Sequence, residues 1–274
     1  MALRYGSRSR PGTMVSTWLN GLVSGTVAAP TAAFFAGGLT GSNVATVDKF
    51  AFSDDSRTTL ASGLSAARRN LAGAANSGTA AYFGGGIAAG ELGTVDKFAF
   101  ADDSRTTLGT GLSVVRQGLG GAANSGTAAY FAGGKDGTGQ EVAVVDKFAF
   151  SDDGRTTLGT GLSANRRAMG SAANSGTAAY FAGGQEASAV ATINKFAFSD
   201  DGRTTLGTGL SANRQQLGGA ADSGTAAYFA GGYESGFVDT VDKFAFSDDS
   251  RTTLGTGLSS ARNYLAGAAN SGTL

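Results

Sequence analysis

Any chemistry in this chain must come from carboxylates, arginines, lysines and hydroxyls, because its 274 residues include no histidine and no cysteine. Ser-His-Asp triads, Cys-His pairs, imidazole bases and Cys/His zinc sites are excluded on that ground. The missing cysteines fit any redox compartment, since nothing depends on a disulfide. The acids that stand out come as neighbours: Asp54-Asp55, Asp102-Asp103, Asp152-Asp153, Asp200-Asp201 and Asp248-Asp249, each followed by Ser or Gly and then Arg. Paired carboxylates can hydrolyse glycosides or hold calcium. A catalytic pair is normally unique, however, and these occur five times. The calcium-loop pattern D-x-[DN]-x-[DN]-G is also absent. A tight turn, with the following Arg balancing charge, accounts for them better.

Two further sets could bind a ligand. Arg68, Arg116, Arg166, Arg214 and Arg262 recur at matching places. Their planar forks suit carboxylates and sugar hydroxyls; equally, each could bond the carbonyls of an adjacent loop and hold the architecture together. Tyr233, Glu234, Phe237, Asp239 and Tyr264 form the richest aromatic and acidic patch, a combination that stacks sugars or anchors a protein. The Lys49 series (Lys97, Lys147, Lys195, Lys243) pairs either with its Asp48-type neighbour or with an adjacent unit. No cofactor or metal is implied.

These residues are placed by a repeat. The lysine of D-K-F-A-F and its variant N-K-F-A-F recurs at spacings of 48, 50, 48 and 48, and a Gly-Gly pair begins at Gly37, Gly85, Gly133, Gly183 and Gly231. The 45 glycines are more than double the usual share of about 7%, yet 17 phenylalanines and an apolar content of 41% supply a core. A period of that length, rich in glycine, aromatic and β-branched residues, predicts a β-propeller with one blade per repeat. Helical repeats would instead show apolar residues at 3.6 spacing and little glycine.

One unit divides into four antiparallel strands: Leu71 to Asn76, Thr79 to Gly84, Thr94 to Phe100 and Arg105 to Leu112. Asn76-Ser77-Gly78 and Asp102-Asp103-Ser104 are its turns,. The first strand holds small residues, as an inner strand crowded around the axis requires. Phe98 and Phe100 fall on one face of the third strand, where they are expected to meet the next blade. Arg262 to Thr273 and Val23 to Val27 compete for the inner strand of the first blade. The carboxyl-terminal segment carries the full motif and is the expected occupant, so that both termini close the ring. Residues 1–22 would then form an anchoring arm ahead of a propeller over 23–274. Its contacts would be Arg4, Arg8, Arg10 and Trp18.

The wording of the unit resembles the kelch repeat. Tyr82-Phe83-Gly84-Gly85-Gly86 and Phe98-Ala99-Phe100-Ala101-Asp102 match that family's order and spacing over residues 23–273. Kelch units usually carry a tryptophan on the fourth strand, where this chain reads Thr-Thr-Leu; its only tryptophan is Trp18. S-G-T-A-A-Y-F-A-G-G with D-K-F-A-F is also similar to repeats in phage and phage-like structural proteins. That likeness implies a setting on a virion: a tail, fibre or head decoration joined to other virion proteins through the arm.

Comparing the five copies separates shared scaffold from difference. The turns between strands one and two and between three and four are nearly constant. The loops between two and three vary most: Leu39 to Ala45, Ile87 to Gly93, Lys135 to Ala143, Gln185 to Ala191 and Tyr233 to Asp239. The links between blades vary just after the arginine. Both variable sets lie on the same side of the disc, and kelch-like propellers often use such loops for partners. Lys+Arg and Asp+Glu balance at 21 each, which disfavours a nucleic-acid partner. No apolar run reaches the ~18 residues of a membrane span. The expectation is a non-enzymatic binding module for a host-surface glycan or receptor, with a purely structural decoration subunit or a multivalent extracellular lectin as alternatives.

Overall fold

The computed structural model describes residues 32–267, and all of its regular elements are β. The chain is a β-propeller of five antiparallel blades. Blade 2 is a simple meander of Ala72–Asn76, Ala80–Gly84, Val95–Ala99 and Arg105–Thr107. Blades 3, 4 and 5 repeat it over 120–157, 170–205 and 218–253. Blade 1 shows Ala32–Ala36, Val47–Ala51 and Arg57–Thr59. The fourth strand is much shorter than its sequence suggests: after the third residue the chain leaves the sheet as a link that runs to the next blade.

Packing between inner strands explains their composition. A Cβ at Gly121 or at Gly219 would lie 2.3 Å from a carbonyl oxygen of the preceding inner strand, at Gly73 and Ser171 respectively. A side chain at either position would push that backbone aside, and among the matching positions only blade 4 carries one, Ser171. The turn asparagines add a bond in the same layer, since Asn76, Asn124 and Asn174 each accept the backbone N–H of the next blade's turn glycine at 2.9 Å.

The apolar core is divided among the four junctions between consecutive blades. At the first, Phe83 and Phe98 of blade 2 bury against Val47, Leu60 and Leu64. Phe100 stacks on Phe34 of blade 1 with ring centroids 5.0 Å apart. Phe98 and Phe100 therefore face the preceding blade rather than the next one. Tyr82, Tyr130 and Tyr180 reach the other way, onto Phe150, Phe198 and Phe246 of the following blade.

Polar groups lock the same surfaces. The second Asp of each turn has a positive φ of 56 to 58°, a conformation Asp tolerates. In blades 2 to 5 it also accepts from the preceding blade: Asp153 takes the Tyr82 hydroxyl at 2.6 Å and the Lys97 ammonium at 2.8 Å. Asp201 and Asp249 do the same for Tyr130 with Lys147 and for Tyr180 with Lys195. Burial first, then the facing carboxylate, pushes the phenols of Tyr82, Tyr130 and Tyr180 well above their ordinary range. The first Asp accepts the backbone N–H two residues on, as in Gly154 to Asp152 at 2.9 Å. The Arg after the pair does not balance it. Arg155, Arg203 and Arg251 donate instead to glycine carbonyls of the preceding link.

The repeated link arginines sit inside the junctions. Arg68, Arg116, Arg166 and Arg214 are fully buried. Arg68 meets Asp96 at 3.0 Å, Arg116 meets Asp146 at 2.9 Å, and Arg214 pairs with Asp242. Burial raises the affinity of each Asp for a proton. Hydrogen bonds from Thr and Ser and the arginine charge outweigh that, leaving Asp96, Asp146 and Asp242 below the usual carboxylate range. Blade 4 departs from the pattern, because Arg166 faces the neutral amide oxygen of Asn194. Burial there pushes the guanidinium down to about 10.

That departure gives a stability prediction. Asn194→Asp should stabilise the protein at pH 7 by about 1–3 kcal/mol, the worth of a charge-assisted bond. Asp146→Asn should cost about 3–5 kcal/mol, because it leaves a buried guanidinium uncompensated. A carboxylate depressed in the fold stabilises above its unfolded pKa of about 4 and loses that contribution as pH falls through the lower folded value. The gain from Asn194→Asp should therefore shrink in denaturant titrations run below pH 3. An unchanged midpoint for Asn194→Asp at pH 7 would remove the pairing argument.

Candidate functional site

Burial in the junctions takes Arg68, Arg116, Arg166 and Arg214 out of reach of any ligand. Their forks bond protein groups, such as the Phe83 carbonyl for Arg68 at 3.1 Å and the Thr240 carbonyl for Arg214 at 2.8 Å. Arg262 is exposed and stands apart from the other four. The residues that differ between blades lie beside these arginines, on the side of the disc where links and loops meet. Backbone bridges Arg69 to Ile87, Arg167 to Gln185 and Gln215 to Tyr233 tie each link to a variable loop.

Around the axis, the residue two after each link arginine takes a left-handed conformation. Asn70, Gly118, Ala168, Gln216 and Tyr264 have φ of 56, 64, 57, 58 and 52°. Their backbones bond in series: Gly118 N–H to Asn70 carbonyl, Ala168 to Gly118, Gln216 to Ala168 and Tyr264 to Gln216, at 2.7 to 2.9 Å. Glycine occupies this position only in the link to blade 3. A side chain in this region costs of order 1–3 kcal/mol each, and such strain collects where function holds it.

The five positions rim a cavity of about 270 Å³ at the mouth of the axis. Its floor is Leu71, Leu119, Met169, Leu217 and Leu265. Gln117 and Arg167 add hydrogen-bonding groups to the rim. The rim is partly pre-ordered, with Asn70 Nδ2 donating to Gln117 Oε1 at 2.8 Å and Gln216 Nε2 to the Tyr264 hydroxyl at 2.7 Å. Below it a second cavity of about 260 Å³ runs between the inner strands. Among the described residues, no carboxylate lines either one. The arrangement can hold a small ligand with one apolar face and several hydroxyls.

The expected aromatic patch divides into two parts. Tyr233, Glu234 and Phe237 share the loop of blade 5, with the two rings edge to face at 5.7 Å. Asp239 is exposed at the end of that loop, and its carbonyl accepts from Leu258. Tyr264, 71% exposed, belongs to the axial rim. Gln215 and Gln216 connect the parts, the first paired to Tyr233 and the second to Tyr264. Asn70, Gln216 and the leucine floor did not emerge from the sequence as site residues. Their signal was present in the variable residues after each arginine, but which of them point to the axis depends on backbone handedness. Arg4, Arg8, Arg10 and Trp18 lie outside the described residues.

No protein family matches the sequence, and no curated protein does. Among solved structures the chain is similar to one described as the structure of YjhT, with a TM-score of 0.70 and 13% identity over 89% of each chain. At that identity the likeness shows the propeller fold alone.

The strained rim supplies its own test. Ala168→Gly should raise stability by about 1 kcal/mol by relieving the left-handed alanine. Gln216→Gly should stabilise less, because it also loses the Tyr264 bond. Thermal and denaturant unfolding of both variants would check this, and a loss of stability in Ala168→Gly would show the position to be unstrained.

Proposed function

We propose that this protein is a non-enzymatic recognition module that binds a sugar unit of a surface glycan at its axial mouth. One observation carries the reading: the differences among nearly identical blades converge on a rim of side chains held in strained backbone over an apolar floor. A cavity of about 270 Å³ is close to the lower end of the ~300–1,000 Å³ range of small-molecule sites. It suits one pyranose ring. The Tyr264 ring offers a stacking face, while Asn70, Gln117 and Gln216 offer amide donors and acceptors to hydroxyls. Exposed Tyr233 and Phe237 extend the same side of the disc toward a longer glycan or a protein receptor.

The kelch-like wording of the repeats supports loop-borne recognition on this side. The similarity to phage structural repeats supports a setting on a virion surface, as a tail, fibre or head-decoration component docked to other virion proteins through residues 1–22. Neither nucleic acid nor membrane belongs to this reading.

Saturation-transfer NMR of the full chain with a panel of hexoses, hexosamines and acidic sugars tests it. Binding near the millimolar range is expected for a single site, worth about 4 kcal/mol. Tyr264→Ala should weaken it about tenfold, or ~1.4 kcal/mol. Absence of transfer to every sugar, or binding indifferent to Tyr264→Ala, would end this assignment of the mouth.

A further inference from the structure

The seam between blade 5 and blade 1 differs from the other four blade neighbours. Among the described residues, no hydrogen bond, ion pair or aromatic contact joins these two blades. Phe35 is 54% exposed and Phe50 37%, whereas their counterparts Phe131 and Phe148 are fully buried. Phe52 is 56% exposed, while its counterpart Phe150 packs on Tyr82. Asp48 and Asp55, on the same side of blade 1, match the positions of Asp146 and Asp153. The first bonds only Arg57 and Thr59 of its own blade.

Blade 5 presents the opposite set. Tyr228 and Lys243 match Tyr82 and Lys97, but the Lys243 ammonium lies over the Tyr228 ring at 5.9 Å and has no carboxylate partner among the described residues. Leu258, Ser259 and Arg262 match Leu112, Ser113 and Arg116. Ser259 and Arg262 are exposed. The link that carries them is already in place, since Leu258 and Arg262 donate to Asp239 and Val238, and Leu265 rests on Gly218.

The two faces are thus complementary by a pattern whose lysine–aspartate bond the chain realises four times and whose tyrosine–aspartate and arginine–aspartate bonds it realises three times each. Tyr228 and Lys243 fit Asp55, Ser259 and Arg262 fit Asp48, and the Tyr228 ring fits Phe52. One chain holds both faces and leaves them apart. Its four formed junctions already sit at good geometry, with lysine–aspartate distances of 2.7 to 2.8 Å throughout. Swinging blade 1 onto blade 5 would have to distort them.

We propose that these faces are an interaction surface for a second copy of this chain, blade 1 of one copy docking head to tail on blade 5 of the next. The contact is heterologous, so association either closes into a ring of chains or propagates. An Arg262–Asp48 pair would be desolvated at each contact, as its three counterparts are. The exposed phenylalanines of blade 1 would be covered.

Sedimentation velocity of the full chain over a hundredfold range of concentration, paired with charge-swapped variants, tests this. The wild type should show a mass that rises with concentration. Arg262→Glu spoils only the blade 5 face and Asp48→Lys only the blade 1 face, so each alone should remain monomeric. An equimolar mixture should recover association, through Arg262 of the Asp48→Lys chain on Asp48 of the Arg262→Glu chain and through the charge-reversed pair at the other contact. Both positions are exposed or half-exposed, and circular dichroism confirms that the variants fold. A wild type that stays monomeric throughout overturns the proposal in favour of closure within one chain. Association unaffected by either variant overturns it as well.

Discussion

The arrangement depends on one contact, made between blades rather than within them: a buried link arginine against the third-strand aspartate of the following blade. A single repeat cannot bury its apolar face alone, so each blade is stable only against its neighbours. Hydrophobic rings supply the attraction at a junction but no register. The Arg68–Asp96 pair and its copies supply that, because a buried guanidinium tolerates no other position,. Thr107 and Ser65 complete the shell around Asp96. The lysine and tyrosine on the turn aspartate repeat the same logic nearer the rim, where partial exposure makes each bond weaker,.

Putting the register between blades frees the axial mouth to vary. The residues just after each arginine are carried by a link whose ends are fixed on both sides, by Gly86 N–H to the Arg116 carbonyl and by Arg116 N–H to the Leu92 carbonyl. Their backbone is held left-handed whether the side chain is Gly118 or Tyr264. The scaffold therefore absorbs the strain, and the side chain at that point is set by something other than folding. This is the physical sense in which the mouth is the candidate site while the arginines beside it are framework.

Much of this was legible in the residues. The period gave the number of blades, N-S-G and D-D the turns, and small inner residues the position of the axis. Alternation along a strand tells which face of its sheet a residue takes, with no information on which neighbouring blade that face meets. Hence the strand pattern alone points Phe98 and Phe100 at the next blade, whereas they pack on the preceding one. The turn aspartates had enough local reason to exist that their second role, as acceptors for another blade's Tyr and Lys, was hidden. The arginine ring was readable in two ways, and burial decides between them. Nothing in one-dimensional spacing distinguishes a fork pointing to solvent from one aimed at an aspartate 28 or more residues away.

The same repetition that made the fold readable carries a cost at its ends. Every internal blade finds a complementary face on each side because both faces are written in every copy. Among the described residues, blade 1 and blade 5 each keep a face that meets no other blade, and the blade 1 face exposes Phe35, Phe50 and Phe52. Here Phe34 replaces tyrosine in blade 1, yet Phe35, Phe50, Asp48 and Asp55 retain the interior wording. Keeping the interior set preserves a surface whose best match is another face of the same kind, so assembly is the property that the uniformity of the repeats favours most directly.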